Sequence, residues 1–351
     1  MAKTFSEEIR DTLAEEMRND SSIIVIGLGV NDPKGVFGTT LGLAQEFGKN
    51  RVIEAPTSEN AVLGVCVGLA MAGHKVVNVH QRLDFFLLAM DQLVNSAAKW
   101  NFMFGNQSPI PITVRLILGR GWGQGPTHSQ NLHLFFSHIP GVRVYMPSLA
   151  SDVRPLLQES IAFQGPSIFL EDRWLHNQQL DEYRISETSE NSKDLHRVIR
   201  SGSEVTIISS GFLLIESMRA ANALEEHDIS VQVIDLRVLK PLDYEFLLKK
   251  TKETKHIFVV DAGPSFGNYG KEIAYTLNLV HQHKVEPVKV ISERDAHEPT
   301  SHGVIADFKV NARSIAGQIF EVVRPGDLCP NFDTLSSEIP DVPDESFRGP
   351  F

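Results

Sequence analysis

Short apolar runs recur along the whole chain, each closing on polar residues and each followed by a stretch of helical spacing. This alternation constrains the fold more than any other feature. It predicts helices over 5–18, 39–47, 60–72 and 85–99, with strands over 23–26, 51–54, 75–79 and 112–116 between them. Segments 142–145 and 167–170, flanking a helix that begins near Ser151, extend the pattern. Strands separated by helices pair in parallel, and a parallel sheet needs helices on both faces, so the expected class is α/β with doubly wound sheets. The first domain is expected over 1–178. A polar stretch, NQQLDEYRISETSENSKDLHRVIR, lacks apolar period and marks 179–200 as a linker. A second α/β domain follows over 201–323, with strands over 205–209, 231–236, 257–261 and 288–292 and helices over 213–225, 244–250 and 271–280. The remainder, 324–351, reads as a Pro-rich acidic tail in irregular conformation.

Composition narrows the function. A chain of 351 residues exceeds one ordinary core, and 42% hydrophobic with 22% charged residues is the balance of a globular protein. A formal charge of -11 lacks the basic footprint of a nucleic-acid binder. Cys66 and Cys329 form no CxxC pair and no disulfide framework. The N-terminus is a charged amphipathic helix, and no run reaches the length of a membrane span. The expectation is a cytoplasmic enzyme without membrane or nucleic-acid partners.

Three segments carry chemistry. In RVIEAPTSENAVLGVCVGLAMAGHK a strand turns through Pro56 into an apolar helix, with Ser58 placed to cap it and Glu59 in its first turn. A helix dipole alone accounts for an acid there, whereas a carboxylate shielded from water at a strand exit also serves proton exchange. In KVVNVHQRLDFFLLAMDQ, His80, Gln81 and Arg82 emerge where a strand ends, the edge at which parallel sheets collect ligands. In ILGRGWGQGPTHSQ, four glycines between Gly119 and Gly125 precede His128, a candidate general acid or base on a loop able to move over a site. No Gly-Lys-Ser/Thr follows, so this is not a phosphate-binding P-loop. ISERDAHEPTSHG has no zinc-ligand spacing, and no metal ligand is assigned.

Together, GVFGTTLGLAQEFGKNRVIEAPTSEN, AMAGHKVVNVHQRLDFFLLAMDQLVNSAAKW, GPTHSQ, HIPGVRVYMPSLASDVRPLL and VQVIDLRVLKPLD resemble, in order over about 5–320, the β subunit of the first component of pyruvate and branched-chain 2-oxoacid dehydrogenases, a transketolase-like family. The resemblance implies a pyrimidine-binding domain followed by a transketolase C-terminal domain. It implies that Glu59 binds the aminopyrimidine N1′ of thiamine diphosphate and starts removal of the thiazolium C2 proton. Ser58 and Phe85 then join the cofactor contacts, with Phe85 against the aminopyrimidine. His128 becomes a substrate-side catalytic residue, while His80 and Arg82, in the HQRL stretch where this chain departs from the family pattern, add donors toward a hydroxylated or anionic substrate. The family's Gly-Asp-Gly and Asn-pair motif for diphosphate and Mg²⁺ is absent from this sequence. That implies an α subunit carrying it in an α2β2 heterotetramer, with a lipoyl-bearing acyltransferase as acceptor. K⁺ near Ile112 and residues 160–165 is implied by the same resemblance.

The chain also departs from the family pattern. Leu28 and Gly29 stand where acidic residues are common, and Leu88 stands at a Gln position. The leading reading is decarboxylation of a 2-oxoacid with acyl transfer to lipoate. A carboligase or transketolase-like enzyme, and a non-catalytic assembly subunit, are the alternatives.

Overall fold

The computed structural model describes residues 3–119, 124–179, 195–281, 286–336 and 342, apart from the side chains of 302, 306 and 307. Within these residues the alternating pattern builds two sheets. The strands are β1 (Ile23–Gly27), β2 (Val52–Glu54), β3 (Lys75–His80), β4 (Ile112–Leu118), β5 (Arg143–Tyr145), β6 (Pro166–Asp172), β7 (Arg197–Arg200), β8 (Val205–Ser209), β9 (Val231–Asp235), β10 (Val238–Lys240), β11 (His256–Pro264) and β12 (Lys289–Glu293). The first sheet runs β10-β5-β6-β4-β3-β1-β2 and the second β12-β11-β8-β9-β7. All pairings are parallel except β10 with β5 and β7 with β9. Every residue of β4, β6, β8 and β9 is buried, as expected when helices cover both faces. No described helix is long and apolar enough to cross a membrane.

Two boundaries differ from the sequence reading. The segment expected as linker already contains β7, an edge strand of the second sheet, so that domain begins before residue 201. β10 leaves its own domain and closes the edge of the first sheet, joining the halves through main-chain hydrogen bonds. The tail stays packed through Ser336: Phe332 is buried against Phe320, and Leu335 O accepts from Arg219. Residues 180–194 of the expected linker, and most of the tail beyond 336, lie outside the described residues.

The helix expected over 85–99 is four successive pieces: Leu83–Phe86, a tight turn at Leu87–Ala89, a widened π turn at Gln92–Ala97, and Ala98–Met103. The apolar spacing persists across them, which is why the sequence reads as one helix. The structure adds helices His133–His138, His302–Phe308 and Ala312–Val323.

Buried charge holds the interior. Arg115 on β4 is fully buried, and its Nε and Nη2 donate to Glu171 on β6 at 2.5 and 2.8 Å, with His176 Nε2 3.5 Å from the same carboxylate. Burial opposes ionisation of Glu171, but Arg115 and His176 outweigh it and hold its carboxyl below the ordinary range. Between the domains, Asp152 accepts from Arg197 and, at 3.0 Å, from Arg237, while Ser148 donates to Asp235 at 2.7 Å.

Removing one partner of a buried ion pair strands the other charge. Glu171→Ala is therefore expected to lower stability by about 3–5 kcal/mol, read as a reduced urea midpoint. An unchanged midpoint contradicts this account of the interior.

Candidate active site

The site forms where β1, β2 and β3 end together. Gly27 closes β1, and a Cβ there would lie 2.3 Å from Val79 O, so only glycine lets the two strand ends approach this closely. Ala55 N donates to Gly27 O at 3.0 Å, fixing the exit of β2 beside them. The chain turns through Pro56 and Thr57 into the helix Glu59–Met71, and Val62 N donates to Ser58 O at 2.9 Å. A cavity of about 80 Å³ opens at this junction. Its walls include Leu28, Pro56 and Val62, with Glu59, His80, Arg82 and Phe85 around the rim and floor.

Glu59 is the first residue of its helix, half-buried, and faces this cavity. Ser58 occupies the cap position, but its hydroxyl makes no capping hydrogen bond, and Ser58 is not among the cavity-lining residues. The backbone explains the correction: at φ -159 and ψ 63 the residue lies outside the geometry that aims a cap oxygen at the first-turn N–H groups. The helix itself is apolar. Cys66 lies in its buried face, where burial pushes the thiol up to about 12 and leaves it unreactive.

His80 corrects a second expectation. Asn78 Nδ2 donates to Ile26 O at 3.1 Å, which turns Asn78 Oδ1 toward His80, and His80 Nε2 donates to it at 2.6 Å. The ring stacks edge-on against Phe86 at 5.0 Å and is buried, which pushes its pKa down to about 4. His80 is thus a neutral imidazole whose one N–H is already engaged. It offers the cavity an acceptor, not the donor its position in the sequence implies.

Arg82 is also buried, at 6% exposure. Its Nη1 donates to Gly119 O at 3.2 Å, and its Nη2 donates to Gln124 Oε1. These bonds tie the two described ends of the glycine-rich loop to the end of β3. Two residues on, Asp84 Oδ1 accepts from Gln130 N at 3.2 Å and Gln130 Nε2 at 2.9 Å.

Phe85, 41% exposed, stands at the cavity mouth with the His128 ring edge-on at 5.3 Å. His128 is half-buried, and its Nδ1 lies 2.9 Å from Thr127 Oγ1. It therefore sits over Phe85 and outside the cavity wall. Glu59, His80, Arg82 and Phe85 share one cavity, and His128 meets them at its mouth.

The C-terminal domain reaches this segment as well. A Cβ on Gly125, whose φ is +67, would lie 2.3 Å from Thr300 Cγ2, so the loop after β12 presses on the glycine loop. His133 Nε2 lies 2.9 Å from Asp261 Oδ1 at the end of β11. The described part of the glycine loop and the turn after it, 124–130, is held from both domains. Residues 120–123 lie outside the described residues.

The sequence reading passed over Asn78, Asp84, Gln124 and Thr300. Asn78 had a visible signal, a lone amide inside an otherwise apolar strand. Gln124 and Thr300 had none, because their partners are set by chain crossings distant in sequence.

With an unfolded value near 6.5 and a folded value near 4, the unfolded chain binds the His80 proton more tightly throughout that window. Stability from His80 is therefore full above about pH 6.5 and declines as pH falls toward 4. His80→Gln, which keeps a donor for Asn78 but cannot titrate, is expected to flatten the urea midpoint between these pH values relative to wild type. Parallel pH profiles contradict the assignment.

Residues 2–178 match the family model of the transketolase pyrimidine-binding domain, and residues 196–315 that of the transketolase C-terminal domain. The chain is 33% identical over 318 residues to the pyruvate dehydrogenase E1 component subunit beta of Rickettsia felis, covering 90% of this chain and 94% of that protein. It is 32% identical over 274 residues to the mitochondrial pyruvate dehydrogenase E1 component subunit beta of Caenorhabditis elegans, covering 77% and 78%. Among solved structures, a split-gene transketolase described as an inactive beta4 tetramer superposes with a TM-score of 0.73 at 17% identity, covering 92% of this chain and 99% of that one. A transketolase from Pichia stipitis gives 0.69 at 17% identity over 93% of this chain and 47% of its own. At that identity the two structures speak for the fold alone. The chain therefore belongs to the transketolase-like family of the pyruvate dehydrogenase E1 component β subunits.

Proposed function

We propose that this chain is the β-type subunit of a thiamine-diphosphate-dependent 2-oxoacid dehydrogenase, and that Glu59 accepts the aminopyrimidine of the cofactor. The observation that carries the reading is the placement of Glu59: a carboxylate at a strand-to-helix turn, facing a cavity rimmed by Phe85 and overlooked by His128. The residues present fit the group. Ala55, Pro56 and Val62 give apolar walls for a flat ring, Phe85 gives an aromatic surface, and Glu59 gives an acceptor for a ring N–H. When bound, thiamine diphosphate supplies a nucleophilic thiazolium carbon that attacks a keto carbonyl.

This chain's residues do the rest. Glu59 holds the ring-nitrogen proton that activation requires, and covering of the cavity strengthens that contact by excluding water. His128, beside Phe85 at the mouth, is positioned to donate to the oxygen of an attacked carbonyl. Asp84 and Arg82 fix its segment.

A partner completes the site. The cavity of about 80 Å³ is well below the roughly 300–1,000 Å³ of a full ligand pocket. Leu28 and Phe85, which line it, are each 41% exposed, an apolar rim that a partner would cover. We assign that role to an α subunit bringing the diphosphate and Mg²⁺ contacts in an α2β2 assembly, with a lipoyl-bearing acyltransferase as acyl acceptor. A K⁺ ion near Ile112 and residues 160–165 belongs to the same reading. Two carbonyls of that segment already accept hydrogen bonds, Ala162 O from Gln164 Nε2 and Gln164 O from Ile110 N.

In the complex with its α partner, Glu59→Ala is expected to lower 2-oxoacid turnover by about 100-fold or more. Unchanged turnover contradicts the role of Glu59. The chain alone is expected to bind no thiamine diphosphate with Mg²⁺ at full occupancy, and equilibrium dialysis showing that it does refutes the two-chain site.

A further inference from the structure

Arg82 is a buried guanidinium with no carboxylate in direct contact among the described residues. Other deeply buried arginines meet carboxylates: Arg115 meets Glu171, and both Arg197 and Arg237 meet Asp152. Arg82 has neutral partners only, the carbonyl oxygens of Gly119 and of the Gln124 side chain. No ion pair joins it to any carboxylate among the described residues. Asp84, close in sequence, has its Oδ1 engaged by Gln130, and its carboxylate acts on Arg82 only through space. A guanidinium can be held this way, but keeping it buried without a direct ion pair is costly in a folded interior. It lines the same cavity as Glu59.

We propose that Arg82 is an anion-binding, specificity-determining residue, and that the substrate carries a carboxylate or phosphate remote from its reacting carbonyl. The remote position follows from the chemistry. A guanidinium clamped on the carboxylate that departs as CO2 stabilises the very charge that decarboxylation must disperse, and so favours the ground state. A second anionic group gains the same interaction without that opposition, and the planar fork suits carboxylate and phosphate oxygens alike. The neutral carbonyl partners leave the charge itself available to such a group. The inference rests on the proposed cofactor site only in that Arg82 and Glu59 share one cavity.

The test is a calorimetric titration of the complex of this chain with its α partner, at fixed ionic strength, with glutarate in one arm and inorganic phosphate in the other. Wild type is expected to bind at least one anion, and Arg82→Gln to weaken that binding by about tenfold or more. Arg82→Lys, which keeps the charge but not the fork, is expected to fall between them. Preference for glutarate identifies a 2-oxodicarboxylate substrate, and preference for phosphate a phosphorylated keto-substrate. Equal binding by wild type and Arg82→Gln, or no binding by either, overturns the proposal. So does equal loss in the Gln and Lys variants when both also melt below wild type, because that outcome assigns the loss to loop packing. Turnover does not enter this readout. A complex inactive on all 2-oxoacids refutes the proposed reaction and leaves the titration result standing, whereas a failed titration beside an active complex removes only the anion assignment.

Discussion

Parallel pairing of β1, β2 and β3 forces three chain exits onto one edge of the sheet, and the candidate site hangs from those exits. The register sets Gly27 opposite both Glu54 and Val79, so the strands end almost level. Glu59 follows from the second exit, Arg82 to Phe85 from the third, and the first supplies the floor through Gly27 and Leu28. A shift of β3 by one residue would carry Asn78 and His80 together to the other face of the sheet, breaking the hydrogen bond from Asn78 to Ile26 O and taking His80 out of the cavity. Glycine at position 27 permits the close approach, and the buried strands on either side hold it.

Hydrogen bonds and ion pairs then fix the segment bearing His128. Arg82 grips the loop at Gly119 and Gln124, Asp84 grips Gln130, and Asp261 of the other domain meets His133. The C-terminal domain thus does more than offer a surface for other subunits. Through β10 it completes the first sheet, and through Thr300 and Asp261 it presses on the residues flanking His128. Burial pushes the Asp261 carboxyl up, but His133 and the N–H groups of Gly263 and Gly270 outweigh that and hold it below the ordinary range. The contact is therefore anchored on an ionised group.

How much of this was legible in the sequence depends on distance along the chain. The doubly wound class, the two domains and the strand-end positions of Glu59, His80, Arg82 and Phe85 follow from local periodicity, which two-sided burial imposes directly on residue type. β7 and β10 were missed because β7 closes a polar stretch and β10 follows β9 after only two residues, and each is an edge strand whose antiparallel pairing is set by the three-dimensional fold. The Ser58 cap failed on backbone geometry that the residue type does not encode. His80 looked like a donor because its position was readable, while the Asn78 amide that engages its N–H was not recognised as a partner. The contacts of Gln124 and Thr300 depend on how two domains meet, which no local pattern records.

The account rests most on one claim, that Glu59 activates the cofactor through its aminopyrimidine. The measurement closest to that step is exchange of the thiazolium C2 proton with D2O in the complex of this chain with its α partner, in the absence of substrate. The account predicts rapid exchange with wild type and exchange slower by about 100-fold or more with Glu59→Gln, which keeps the side chain's size and removes its charge. Equal exchange rates in the two complexes, with cofactor bound in both, would contradict it.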